Sequence, residues 1–337
     1  MLPLVPLLLL VVAPAIYFAS RLGWTASPAV RFGGGGALAL LVVWSLPYDG
    51  LDFAVLKRMN LFLAGAVLAV IALRERLGRT RTLGALALIA VLAGLVYVNF
   101  FAFHGARTWV HLHDVAHYYL GSKYSRELGY GRLYTAMLRA EAELYDNRFR
   151  GIEARDVTTN RVVHIRTLLE QSEPVKRSFS PERWSDFLAD CRFFHEALGA
   201  QWANVIKDHG YNPTPSWTWI GGFLANRVPA GSESGIRALT LLDPLLLLAS
   251  FAAVGAVFGA ETLLLCLVYY FIIFGATFGW AGGAFLRHGW FVAVLASASA
   301  LERERWSAAG ALLAVASLLA VFPAFLAIGI VLRAAGA

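Results

Sequence analysis

Apolar runs too long for an ordinary core helix dominate this chain. The clearest cover residues 4–20, 59–73, 83–103, 238–258, 262–280 and 307–332, with shorter ones at 35–48 and 288–301. About 20 apolar residues in a helix cross the roughly 30 Å hydrocarbon layer of a bilayer. Backbone amides in lipid find no water, so a spanning segment must satisfy them internally, as a helix does. None of the runs alternates apolar and polar residues as a transmembrane β-strand would. Only 15% of residues are charged and 58% are hydrophobic, where soluble domains carry about 25% charged residues. The expected fold is therefore all-α, a polytopic membrane protein of about seven or eight membrane helices. Residues 1–103 supply about four of them. A mainly helical, water-exposed domain is inserted at 104–216, and an interfacial or re-entrant segment followed by further membrane helices fills 217–337.

Charge placement gives an orientation. The turn Arg74-Glu75-Arg76-Leu77-Gly78-Arg79-Thr80-Arg81 sets four arginines between two apolar runs, which the positive-inside rule assigns to the cytoplasm. The next helix then delivers 104–216 to the extracytoplasmic side. Counting back puts Asp49 and Asp52 outside, Arg21 and Arg31 inside and the N-terminus outside. The first run is read as a retained helix, because no Lys or Arg precedes Arg21 and no small-residue cleavage site follows. The turn Glu302-Arg303-Glu304-Arg305 is also cytoplasmic, leaving Arg287 and His288 outside. Parity allows 214–229 or 262–280 to span, not both. The former is interrupted by Pro213, Pro215 and Pro229, so it is read as interfacial or re-entrant, with spanning as the alternative.

The net charge of +7 is no nucleic-acid signature. Residues 104–216 hold fifteen Lys/Arg against fourteen Asp/Glu, and the remaining excess flanks membrane runs, where topology and anionic lipid account for it. Cys191 and Cys266 belong to segments of different depth, so no disulfide is expected.

Within the inserted domain, Arg132 to Tyr145 has helical periodicity, and Ser180-Pro181 reads as an N-cap with Pro at the first helical position. The helix behind it presents Trp184, Phe187, Leu188, Cys191, Phe194 and Leu198 on one face. Residues 155–166, rich in Val, Thr and Ile, read as extended. Seven of the eight histidines lie in 104–209, densest around His111, His113, Asp114 and His117. In a helix His113 and His117 share a face at i, i+4, and Asp114 pairs with His117 at i, i+3. Asp114, at the membrane surface, is a candidate general base; as plain interfacial residues these side chains need no chemistry. The histidine spacing does not match His-Glu-x-x-His, so no resident metal is expected, and a divalent ion belongs to an alternative metal-enzyme reading built on His111, His113, Asp114 and His117. Asp208-His209-Gly210-Tyr211 closes the domain, either as a turn or as a partner for Asp114. Asp243, before Pro244, caps or kinks a helix or faces a cavity.

Asp114 is followed by Tyr118-Tyr119, Leu128-Gly129 and Leu133-Tyr134. This pattern resembles the first extracytoplasmic loop of GT-C glycosyltransferases, particularly bacterial polyprenyl-phosphate-mannose-dependent mannosyltransferases. Tyr211-Asn212-Pro213-Thr214-Pro215 resembles that family's entry into the next hydrophobic segment, and Arg305-Trp306-Ser307-Ala308-Ala309-Gly310 with Phe322-Pro323 resembles a late family helix. The resemblance covers roughly residues 100 to 333. It implies a membrane lipid-linked sugar, a polyprenyl-phosphate donor, transferred to an extracytoplasmic glycan, lipid or protein acceptor. Asp114 would then be the base. Arg107, Lys123, Arg126 and Arg287 would be cations near the leaving phosphate, and Tyr118, Tyr119, Tyr124, Tyr130 and Tyr134 would be surfaces for the sugar, or else an interfacial belt. His113, His117, Asp208, His209, Tyr211 and His288 complete the candidate binding set. Two departures stand out. Ala320 occupies a position, three before Pro323, that is often basic in the family, and the chain ends at Ala337, shorter than most members. Both keep open a non-catalytic membrane subunit with an extracytoplasmic partner-binding domain, and a membrane partner subunit.

Overall fold

The computed structural model describes residues 50–104 and 108–335. The helices expected over 4–20 and 35–48, with Arg21, Arg31 and Asp49, and the candidate cation Arg107 lie outside the described residues. The described chain is mostly helical, with one two-stranded sheet.

Helix α1 covers Phe53–Tyr97, 45 residues, which if straight would extend about 68 Å. At Gly78 the backbone leaves the helical region, with φ 72° and ψ 164°, a conformation open to glycine because it has no Cβ. The two ends meet: Leu51 N–H donates to Asn99 Oδ1 at 2.9 Å, and Asn99 Nδ2 donates to Leu51 O at 3.3 Å. Helix α1 is thus a hairpin whose tip exposes Arg74, Arg76, Arg79 and Arg81, the basic turn expected between two apolar runs.

The inserted domain follows, with α2 (Leu112–Lys123), α3 (Leu133–Leu144), an antiparallel β1 (Glu153–Asp156) and β2 (Arg161–His164), and α4 (Pro181–Leu198). Helix α4 starts as read, with Ser180 Oγ accepting Arg183 N–H at 3.3 Å. It buries Trp184, Phe187, Cys191 and Phe194, and also Asp190 and His195. Tyr119, Tyr124, Tyr134, Met137 and Trp202 complete the centre of the core. Cys191 and Cys266 are free thiols.

Helix α5 (Pro215–Ala225) has 11 residues, about 16 Å against the roughly 30 Å of a bilayer core, so 214–229 is too short to cross as a helix. It lies on α2, where a Cβ on Gly222 would stand 2.7 Å from the Ser122 carbonyl oxygen. Helices α6 (Glu233–Thr240) and α7 (Leu242–Phe258) run on as one apolar stretch of 26 residues. That stretch and α1 are the two helices among the described residues long and apolar enough to cross a membrane. Shorter apolar helices follow: α8 (Ala260–Ile272), α9 (Gly289–Glu302) and α10 (Trp306–Leu319), then α11 (Ala327–Ala335).

Two expected runs are not continuous helices. The run 262–280 stops at Ile273, which is extended, and continues as short turns. The run 307–332 breaks at Ala320, also extended, ahead of Pro323, whose ring removes an N–H and disfavours helix before it. Leu61, Phe62, Leu88 and Leu248 are exposed on α1 and α7, an apolar surface suited to lipid.

Candidate functional site

The candidate site forms where the first turn of α2 meets the loop before α9. Gly283, at φ 70°, accepts His111 N–H at 2.9 Å, and any Cβ on it would collide with the Trp109 carbonyl. That loop carries Arg287. Its backbone hangs from Asp243, buried in the first turn of α7. The Asp243 carboxylate accepts Arg287 N–H at 2.8 Å, His288 N–H at 3.3 Å and His288 Nδ1–H at 3.0 Å. Asp243 thus fastens the loop, and its side chain caps neither α7 nor α9. His288 Nε2 lies 2.9 Å from the Tyr270 hydroxyl. His288 therefore fastens the loop and is not open to a ligand.

The Arg287 guanidinium covers the Tyr118 ring at 4.8 Å and donates to its hydroxyl. Arg287 Nη1 stands 3.8 Å from Asp114 Oδ1. The Asp114 side chain is 12% exposed, and its Oδ2 is buried without a hydrogen-bond partner. Burial pushes the Asp114 carboxyl above the usual carboxylate range, while Arg287 and His113 pull it back. Tyr118 also donates to Asn212 Oδ1 at 3.1 Å and meets the edge of Trp217, whose Nε1–H is held by Leu286 O at 3.0 Å. Asp114, Tyr118 and Arg287, chosen separately from the sequence, thus come together.

Beside them, His113 Nε2 lies 3.1 Å from Asp208 Oδ2, and that bond holds the Asp208 carboxyl well below its ordinary range. His117 is buried, with Nδ1 2.9 Å from His113 O and Nε2 2.8 Å from the Tyr134 hydroxyl. Both nitrogens are occupied, so the expected Asp114–His117 pair does not form. Burial lowers His117 to about 4 and His111 to about 3. Metal-capable atoms of His113, His117 and Asp208 all lie within 4.8 Å of one another. The set of the alternative metal reading, His111, His113, Asp114 and His117, does not converge; His113 and His117 meet Asp208 instead.

Other candidates belong elsewhere. Lys123 is buried in an ion pair with Asp190 at 2.9 Å and donates to Tyr119 Oη at 2.7 Å and Val228 O at 3.1 Å. Asp190 also accepts the Tyr124 hydroxyl at 2.7 Å, the Tyr119 hydroxyl at 3.3 Å and Gly231 N–H at 2.7 Å. Lys123 and Tyr119 are therefore packing residues, closed to a phosphate or sugar. Tyr124 and Tyr134 are likewise buried. Tyr211 is buried against Gly121 and stacked on the exposed Tyr130. His209 and Arg126 are exposed, the first 3.2 Å from Asn160 Oδ1. Sequence reasoning missed Asp190, although a carboxylate on the apolar face of α4 marks a residue with a buried partner.

A groove of about 1060 Å³, as bounded by the described residues, runs between α1 and residues 271–280. Lys57 and Arg58 border it, Tyr97, Phe271 and Phe278 line it, and it reaches His104. His104 stacks on His111 at 4.5 Å, which joins the groove to the start of α2. No protein-family model, curated protein or solved structure matches the chain.

Proposed function

We propose that this chain is an integral membrane glycosyltransferase of GT-C type, moving a sugar such as mannose from a polyprenyl-phosphate donor to an extracytoplasmic glycan, lipid or protein acceptor. The observation that carries the reading is Asp114. Its carboxylate is nearly buried, one oxygen lacks a partner and a guanidinium stands 3.8 Å from the other. Transfer needs both parts. The acceptor hydroxyl attacks the anomeric carbon and its proton passes to Asp114, while the bond from that carbon to the donor phosphate breaks and Arg287 stabilises the departing anion. The apolar groove beside His104 offers a bed for the lipid tail.

The proposal includes seven or eight membrane helices with 104–216 facing outward from a bacterial inner membrane, and it adds no resident cofactor to the sugar-transfer step. Labelling of a cysteine placed at Gly151 by an impermeant reagent in intact cells tests the orientation. Turnover of radiolabelled polyprenyl-phosphate mannose in proteoliposomes tests the activity. A well-folded Asp114→Asn protein should lose it, and undiminished turnover would end the assignment. The competing reading, a non-catalytic subunit, draws on Ala320, an extended break in the chain with no cation of its own.

A further inference from the structure

We propose that His113, His117 and Asp208 form a binding site for one divalent transition-metal ion, zinc being the best match to two imidazoles and a carboxylate. Two observations carry it. First, the ligand-capable atoms of all three residues lie within 4.8 Å of one another, with His113 Nε2 and Asp208 Oδ2 already 3.1 Å apart. Ligands about 2.1 Å from a tetrahedral ion stand about 3.4 Å from each other, so the site needs to draw in by little more than an ångström along its widest edge. His113 and Asp208 have room to do so, at 31% and 46% side-chain exposure.

Second, two of the three ligands, His117 and Asp208, are held by outer contacts as ligands are in metal sites, where the far side of a ligand is hydrogen-bonded to protein. His117 Nδ1–H donates to the His113 carbonyl at 2.9 Å. Nε2 lies 2.8 Å from the Tyr134 hydroxyl and 3.1 Å from the Val205 carbonyl oxygen, the two contacts that an ion at this nitrogen would replace. Asp208 Oδ1 accepts His209 N–H at 2.8 Å, which leaves Oδ2 turned toward His113. The i, i+4 histidines come from α2, and Asp208 comes from the turn after Val205. Three protein ligands leave a position open for water or substrate, the pattern of a reactive rather than a purely structural site. A plain His–Asp hydrogen bond beside a core histidine predicts the same contacts but no affinity for metal.

The inference does not rest on sugar transfer. The test uses full-length protein without a polyhistidine tag, purified in detergent, stripped with chelator and titrated with zinc alone, then with cobalt(II) for its visible ligand-field bands. One zinc per chain should bind and raise the melting temperature. His113→Ala and Asp208→Asn should each weaken binding by about 100-fold or more, since even loss of an outer contact costs 10- to 100-fold. His209→Ala, exposed and next in the chain, should bind as wild type. Absence of zinc binding by folded wild-type protein, or unchanged affinity in both ligand variants, overturns the site. Zinc binding by a protein without transfer activity would keep the site and overturn the proposed function.

Discussion

Helix α2 carries a charged group at each end, Lys123 buried and Asp114 nearly so, and the two are treated differently. At its C-terminus Lys123 meets Asp190, and every neighbouring donor and acceptor is used: two tyrosine hydroxyls, the Gly231 amide and the Val228 carbonyl. At its N-terminus Asp114 faces Arg287 at 3.8 Å and keeps one buried oxygen without a partner. A buried charge is costly unless fully paired. The first group meets that demand and reads as structure. The second leaves one oxygen without a protein partner, the place for a water, an ion or a substrate hydroxyl to complete it.

The sharpest way to test the contrast is Asp114→Asn. Loss of a positioned base lowers rate by about 10²- to 10⁴-fold, and turnover measured with folded yield on one preparation should show the first falling and the second holding. A drop in yield with specific activity unchanged would place Asp114 with Asp190 as a structural residue. Asp190→Ala should do the opposite. It strands the Lys123 ammonium in the core, at a cost of about 3–5 kcal/mol, seen as a lowered thermal midpoint in detergent. The Lys123→Met/Asp190→Leu pair should regain most of that loss.

Gly222→Ala probes the same end of α2 through packing. Its Cβ would meet the Ser122 carbonyl oxygen at 2.7 Å, and because backbone does not yield easily the expected loss is about 1–3 kcal/mol. An unchanged midpoint would mean that α5 is not pressed on α2. The smallest effect belongs to Arg287→Gln. A loose, partly exposed ion pair contributes about 0–1 kcal/mol, so stability should barely move while donor affinity falls. A loss as large as that of Asp190→Ala would erase the distinction between the two ends.

Local rules made part of this legible. Ser180-Pro181 announced the start of α4, its spacing announced the buried face, and the arginines around Gly78 announced a turn between apolar runs. Hydropathy could not show that 262–280 breaks at Ile273, because an apolar segment reads alike whether continuous or bent. At the site, sequence could name Asp114, Tyr118 and Arg287 but not join them, since their neighbours are set by packing across the domain. For the same reason Lys123 and Tyr119 looked available. Only the carboxylate of Asp190, far along the chain, shows that they are spent on each other. His113 and His117 had helical spacing to recommend them, while Asp208 was read as a turn residue or a partner for Asp114, because its approach to His113 is set by packing across the domain.

The loop that carries Arg287 is tied at three places that belong to different parts of the molecule. Gly283 binds it to the inserted domain, Leu286 binds it to α5, and Asp243 binds it to the 26-residue α6–α7 stretch, which is long enough to span a bilayer. The Arg287–Asp114 gap therefore works as a gauge between that helix and the domain. A displacement of that helix relative to the domain would change the distance between the guanidinium and the carboxylate.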